Sequence, residues 1–202
     1  LAKTNIEIMD VEALLYTAAL VKDYDTKAIL YKKAGDKFKC DRAYYNLTAV
    51  SLDNGKLAEA KAAHAKVTNK NSGYYTNNAG VIALRDKDYK TAAEMFAKSD
   101  LKEAKQNAAI IDILNGKYND AVNKLAGSKN ENEGLAYILT NQLDKASAAI
   151  TCKCSHSAYM RAIIAARQGN MTEVAKQLEI VYKNDALKAR AQNDIEFAKF
   201  RE

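Results

Sequence analysis

Apolar and small residues recur along this chain at the three- and four-residue spacing of amphipathic helices. One stretch contains Tyr44, Leu47 and Val50, and a later one contains Ile111 and Leu114. Each is followed by a turn signal and then by a second stretch of the same kind, with Glu, Lys and Thr on its other face. The pattern predicts helix throughout, arranged as hairpins of a first helix, A, and a second helix, B.

One short motif recurs six times where helix A is expected to turn into helix B. An apolar or aromatic residue follows a small or polar one and precedes a small residue. The six central residues are Tyr24, Leu57, Tyr89, Tyr118, Leu143 and Met171, which lie 25 to 33 residues apart. This is the period of a two-helix repeat, and it is too long for a heptad array.

A residue that tolerates the left-handed backbone conformation stands between the two helices in four of the hairpins. These residues are Gly55, Gly116, Asn141 and Gly169. Because a helix commonly ends on such a residue, we expect helix A to end at each of them.

The repeat resembles that of tetratricopeptide-repeat (TPR) proteins. In the third hairpin the TPR pattern is matched by Gly80 in helix A, Tyr89 at the turn, and Ala92 and Phe96 in helix B. Small residues at helix A, namely Gly80, Ala109, Gly134 and Ala162, would let helix B approach closely. The chain departs from the family in having no proline.

The resemblance implies an all-α, right-handed α-α solenoid of about six TPR-like hairpins. A C-terminal capping helix is expected over residues 187–202, built on Ala191, Ile195, Ala198 and Phe200, because a solenoid must cover its last apolar face. We interpret residues 1–202 as one TPR-like domain, excised from a longer chain.

The segments Ala158–Asn170 and Asn193–Glu202 are similar to helical-repeat portions of cell-envelope proteins of Bacteroidota. That similarity implies a periplasmic or cell-envelope location; without it, the expected location is the cytoplasm.

Composition and charge narrow the function classes. The 202 residues carry a formal net charge of +6, but Lys and Arg are spread along the chain instead of forming a basic stripe. Nucleic acid is therefore not an expected partner. No apolar run approaches the ~18 to 20 residues needed to span a bilayer, so this segment is not expected to insert into a membrane.

The sequence offers little catalytic or metal chemistry. Cys152, Cys154 and His156 have ligand-type side chains, but spacing by two would turn them to opposite sides of a helix, and a structural zinc site needs four ligands. Loop packing, a metal site and a redox pair stay open there, and loop packing is the expectation. We expect no catalytic residue, no cofactor and no bound metal. His64 is interpreted as a packed, hydrogen-bonded histidine, and Glu131 with Glu133 as solvated residues of a loop or a helix start.

What remains is a binding surface. By resemblance to TPR arrays, the A helices line an inner groove with the residues Arg42, Tyr45, Tyr74, Asn77, Arg85, Tyr159 and Arg167. Tyrosine and arginine suit binding sites because they bring large area or forked donors. The predicted function is a non-catalytic scaffold that binds a protein or peptide in this groove. The alternative is an envelope spacer that positions a neighbouring domain without a tight ligand.

Overall fold

The computed structural model describes residues 6–200, and every regular element in that range is helical. The helices are α1 (Val11–Leu20), α2 (Tyr24–Phe38), α3 (Asp41–Asp53), α4 (Leu57–Ala65), α5 (Gly73–Arg85), α6 (Tyr89–Ala97), α7 (Lys102–Leu114), α8 (Tyr118–Leu125), α9 (Glu131–Leu139), α10 (Leu143–Ala149), α11 (Ser155–Arg167), α12 (Met171–Val181) and α13 (Asp185–Asn193), followed by a 3₁₀ helix (Ile195–Phe200). From α1 to α12, odd-numbered helices correspond to the predicted A helices and even-numbered ones to the B helices, and α13 overlaps the predicted capping segment.

The chain divides into two compact units, the first ending at Ile111 and the second beginning at Asp112. In the first unit, α1 pairs with α2, α3 with α4 and α5 with α6, and α3 also packs on α5. Its core includes Leu14, Leu30, Ala34 and Ala43, which are at most 1% exposed. The buried residues fall at helical spacing, so each helix buries one stripe and leaves the rest to solvent.

In the second unit, α9 pairs with α10 and α11 with α12. The C-terminal helix α13 and the 3₁₀ helix both pack on α11. The core of this unit gathers Val174, Val181, Leu187 and Phe197 around Ala162.

The six motif residues predicted from the sequence each begin a B helix, from Tyr24 in α2 to Met171 in α12. Before α4, α6, α8, α10 and α12 the chain makes the same turn, in which one residue has a positive φ, from 58° at Asn141 to 73° at Gly116. The next N–H donates back to a carbonyl five residues earlier, for example from Lys56 to Ser51 at 2.8 Å. This bond satisfies a carbonyl left open at the end of helix A. The predicted helix ends are confirmed, and Lys87 is a fifth left-handed residue that the sequence pattern did not indicate.

Two of the small residues predicted to permit close helix approach do so. A Cβ placed on Gly80 would lie 2.5 Å from the ring of Phe96, and one on Gly134 would lie 2.4 Å from Cγ1 of Ile150. Both glycines therefore bring an A helix against a large side chain at the end of its own hairpin.

The C-terminal segment that covers the last apolar face differs from the single capping helix predicted from the sequence. Helix α13 ends at Asn193, and residues 195–200 form a 3₁₀ helix, with residues 201–202 outside the described range. Phe197 is 1% exposed and fills the core, whereas the predicted core residue Ile195 is 85% exposed. The backbone of Asp194 is extended and interrupts the helix, so the turn that follows it places Phe197 instead of Ile195 in the core.

Among the described helices, none combines the length and apolar character needed to cross a bilayer. Whether residues 1–202 act as one domain stays a prediction.

Candidate functional site

The A helices of the first unit contact one another through a row of side chains, which we call the A-face. Its members, taken from α1, α3, α5 and α7, are Glu12, Arg42, Tyr45, Tyr74, Asn77 and Asn107. On α3 and α5 the members are three residues apart, which places them on one side of each helix. Arg42 donates to Glu12 across α1 and α3, so its guanidinium is already paired.

Two tyrosines form the centre of the A-face. The rings of Tyr45 and Tyr74 stack, with centroids 5.7 Å apart and planes 22° from parallel. Tyr45 is 9% exposed, and its hydroxyl donates to the carbonyl of Asn69 at 3.1 Å. Tyr74 is 58% exposed. The inner ring is thus fixed in place and supports an outer ring that faces solvent.

Asparagines continue the row. The Nδ2 of Asn107 donates to Oδ1 of Asn77 at 3.1 Å, joining α7 to α5. Beneath them, buried Asn78 donates to the carbonyl of Tyr45 at 3.0 Å, which locks α5 against α3. Arg85 lies exposed at the end of α5. Five of the seven predicted groove residues therefore lie in this unit, on α3 and α5.

Tyr159, on α11 in the second unit, is not presented to solvent. It is 4% exposed, packs edge-on against Phe197 and lies under the guanidinium of Arg190. Its hydroxyl donates to Asp194 at 2.5 Å. Burial, together with that carboxylate, raises the pKa of Tyr159 to about 12. The ring borders an apolar cavity of about 230 Å³ shared by α9, α11 and α13.

Arg167 is also engaged within the second unit. It donates from two nitrogens to Glu196, and from Nη1 to the carbonyl of Ile138 at 2.7 Å. The hydrogen bonds to Glu196 raise the pKa of Arg167. The C-terminal segment buries Tyr159, whereas Arg167 is exposed but has its guanidinium paired with Glu196. A partner-binding role for them stays untested.

The sequence patterns missed a cavity on the B-helix side of the first unit. It has a volume of about 310 Å³ and lies between α2, α3 and α4, with Ile29, Leu47 and Ala62 in its lining. Ile29 is 57% exposed. Ile29 is an apolar residue next to the buried stripe of α2, and this position was the sign of the cavity that the sequence carried.

Two polar residues differ from their predicted environments. Glu133 does lie at a helix start, but it is 4% exposed and accepts from the backbone N–H groups of Gly127 and Lys129, each at 2.7 Å. His64 is packed as predicted, stacked on Tyr75 at 4.1 Å. Its buried Nδ1, however, has no hydrogen-bond partner among the described residues. Burial lowers the pKa of His64, with a smaller contribution from Lys70.

No family model matches the sequence, and no curated protein matches it. Solved structures do match its fold. A tetratricopeptide repeat protein from Parabacteroides merdae aligns with a TM-score of 0.64 at 14% identity, covering 93% of this chain and 84% of that one. PilF of Pseudomonas aeruginosa aligns with a TM-score of 0.65 at 12% identity, covering 95% and 96%. PilW, described as a widely conserved type IV pilus biogenesis factor, aligns with a TM-score of 0.66 at 16% identity, covering both chains fully.

This chain has a TPR-like fold. The alignment of these structures over most of the chain confirms the TPR-like resemblance read from Gly80, Tyr89, Ala92 and Phe96, and with it the all-α helical-repeat class. The similarity to Bacteroidota envelope proteins stays a prediction.

Proposed function

We propose that this chain is a non-catalytic scaffold that binds an extended peptide segment of a protein partner on the A-face of the first unit. The observation that carries the proposal is the Tyr45–Tyr74 stack, in which the outer ring is 58% exposed. An exposed aromatic ring that a buried neighbour already holds in place loses little conformational entropy on binding. Such rings are typical binding hot spots.

The neighbouring asparagines would supply hydrogen bonds to a peptide backbone. Asn107 uses one Nδ2 proton on Asn77, and no described residue occupies Nδ2 of Asn77 or Oδ1 of Asn107. One is a donor and the other an acceptor, which matches the alternating N–H and C=O groups of an extended peptide. This arrangement favours a peptide over a small apolar ligand.

The charged side chains near the A-face indicate which charge the preferred peptide should carry. Arg42 is paired with Glu12, but Arg85, two turns beyond Asn77 on α5, is exposed. A guanidinium in that position favours an acidic side chain. We therefore expect the preferred peptide to combine one aromatic or aliphatic anchor over Tyr74 with an acidic residue toward Arg85.

To test the proposal, peptides that bind this chain would be selected from a random peptide display library. Binding of the selected peptides should weaken at least about tenfold in Tyr74→Ala, equal to about 1.4 kcal/mol. Tyr182→Ala is the matched control, because Tyr182 is also a partly exposed tyrosine, 41% exposed, but lies at the end of a B helix. Its affinity should equal that of the wild type.

Two results would contradict the proposal. Loss of binding in Ile29→Ala with full binding in Tyr74→Ala would place the peptide in the B-side cavity instead. Failure to select any peptide would favour the spacer interpretation, in which the A-face has no tight ligand. Nucleic-acid binding is tested in parallel by measuring affinity at several salt concentrations, since the affinity for a nucleic acid would fall steeply as the salt concentration rises.

A further inference from the structure

The segment before α11 brings two cysteines to a carboxylate in the second unit. Cys152 lies between α10 and α11, Cys154 is the residue that precedes α11, and Glu131 is the first residue of α9. The Sγ of Cys154 donates to Oε1 of Glu131 at 3.0 Å. A ligand atom from each of the three residues lies within 4.8 Å of the others.

We propose that Glu131, Cys152 and Cys154 form a Zn²⁺ site with a fourth coordination position open to water. Ligand atoms around a tetrahedral zinc lie about 3.4 to 3.8 Å apart, given Zn–S and Zn–O bonds of about 2.3 and 2.1 Å. Movements of about 1 Å would bring the three groups to that spacing. Two thiolates and one carboxylate form a donor set that favours zinc over magnesium or calcium.

The backbone conformation explains why two cysteines separated by one residue can face the same metal ion. Cys154 has extended dihedrals, with φ of −76° and ψ of 165°, and Cys152 precedes it outside any helix. In extended chain, alternate residues point to the same side, whereas on a helix they would diverge. Helix α11 begins at Ser155, after both cysteines, so helical geometry does not turn the two thiols to different sides.

Neighbouring groups hold the ligands in position. Ser157 donates to Oε1 of Glu131 at 2.6 Å, and Arg161 donates to the carbonyl of Cys152 at 2.8 Å. Contacts of this kind orient metal ligands and are part of a metal site's affinity. A cavity of about 530 Å³ beside the three ligands, bordered by Lys129 and Thr151, gives an ion and water access.

The backbone also orients Cys152. The N–H of Cys154 donates to Sγ of Cys152 at 3.3 Å. The thiolate is the form of cysteine that binds metals. Starting from two thiols and a carboxylate, binding of one Zn²⁺ releases two protons to solvent and changes no oxidation state.

The test is a Zn²⁺ titration of the reduced full chain against a chromophoric chelator, with Co²⁺ as a spectroscopic probe. We expect one equivalent of metal and thiolate-to-Co²⁺ charge-transfer absorption. Cys152→Ser and Cys154→Ser should each weaken binding by at least about 100-fold, and Ser157→Ala by about tenfold. The thermal unfolding midpoint should rise by about 5 to 10 °C when free zinc is a hundredfold above Kd.

Two controls separate this site from general thiol or imidazole binding. Cys40→Ser removes the third cysteine of the chain, which lies on the first unit, and should leave affinity within about twofold of wild type. His156→Ala should do the same, because His156 is not among the three described residues whose ligand atoms lie within 4.8 Å of one another. The proposal is overturned if the reduced wild type takes up no zinc at micromolar concentration, or if the double variant Cys152→Ser/Cys154→Ser binds as the wild type does. A loss in His156→Ala as large as in the cysteine variants would overturn the three-ligand arrangement.

Discussion

Phe96 lies against Gly80 so closely that the structure has no room for a side chain there. A Cβ on Gly80 would be 2.5 Å from Cδ1 of the ring, and Phe96 itself is only 2% exposed. The ring cannot move outward without opening the α5–α6 hairpin. This contact sets the distance between the two helices of the third repeat.

Gly80→Ala should therefore destabilise the protein. Overpacking a core typically costs about 1 to 3 kcal/mol, and the gain in helix propensity from alanine offsets up to about 1 kcal/mol of it. We expect a net loss of about 1 to 2 kcal/mol in the free energy of unfolding, measured by urea denaturation. In a Phe96→Leu background the same substitution should cost less, because the smaller side chain makes room. A stabilising Gly80→Ala would contradict the close contact.

The turns between helices predict that substitutions at Lys87 and Gly55 change stability in opposite directions. Lys87 has φ of 64° and Gly55 has φ of 70°, and a Cβ on Gly55 would meet no atom within 4 Å. Because the left-handed conformation penalises residues with a Cβ, Lys87→Gly should stabilise the chain by about 0.5 to 1 kcal/mol. Gly55→Ala should cost about 1 kcal/mol for the same reason. Urea midpoints that move in the same direction for both variants would disprove this explanation.

The helical hairpins and their turns could be predicted because their signals are local. Gly116 and Asn141 end helix A within a few residues of the pattern that marks them, and Tyr118 begins the next helix. A residue's tolerance for positive φ and its place in the 3.6-residue period are properties of its immediate sequence.

The rest depends on contacts between distant residues. Cys154 meets Glu131 across 23 positions, and Arg167 meets Glu196 across 29. Nothing in the local pattern around Cys154 indicates a carboxylate from α9. Likewise, the periodicity of α11 predicts which residues face one side, but not that the C-terminal segment covers Tyr159.

Glu133 stabilises the segment that leads into α9. Its carboxylate accepts from the N–H groups of Gly127 and Lys129, which would otherwise be left without a protein partner. Glu133→Ala should cost about 2 to 3 kcal/mol in the free energy of unfolding, and Glu133→Gln less, because an amide retains one acceptor oxygen. Glu103→Ala, an exposed position in the first turn of α7, is the control and should change stability by less than about 0.5 kcal/mol. Equal effects of the Glu133→Ala and Glu103→Ala substitutions would contradict the buried role of Glu133.

His64 should make stability fall at mildly acidic pH. Burial lowers the pKa of His64 below its ordinary value of 6.5 in the folded chain, so the folded state favours the neutral ring. Below pH 6.5 the unfolded chain takes up a proton that the folded chain does not bind until a lower pH. The unfolded state is thereby favoured, and the free energy of unfolding falls as the pH drops from 6.5 toward the folded pKa.

His64→Phe should remove that part of the pH dependence while keeping the stack on Tyr75. It also eliminates a buried nitrogen without a described partner, so we expect the variant to be at least as stable as the wild type at neutral pH. Urea denaturation between about pH 5 and pH 7.5 would measure both effects. His156→Gln is the matched comparison, because it removes the other histidine of the chain at an exposed position. If the slope survives in His64→Phe, another group carries it, and the burial of His64 has no energetic consequence for protonation.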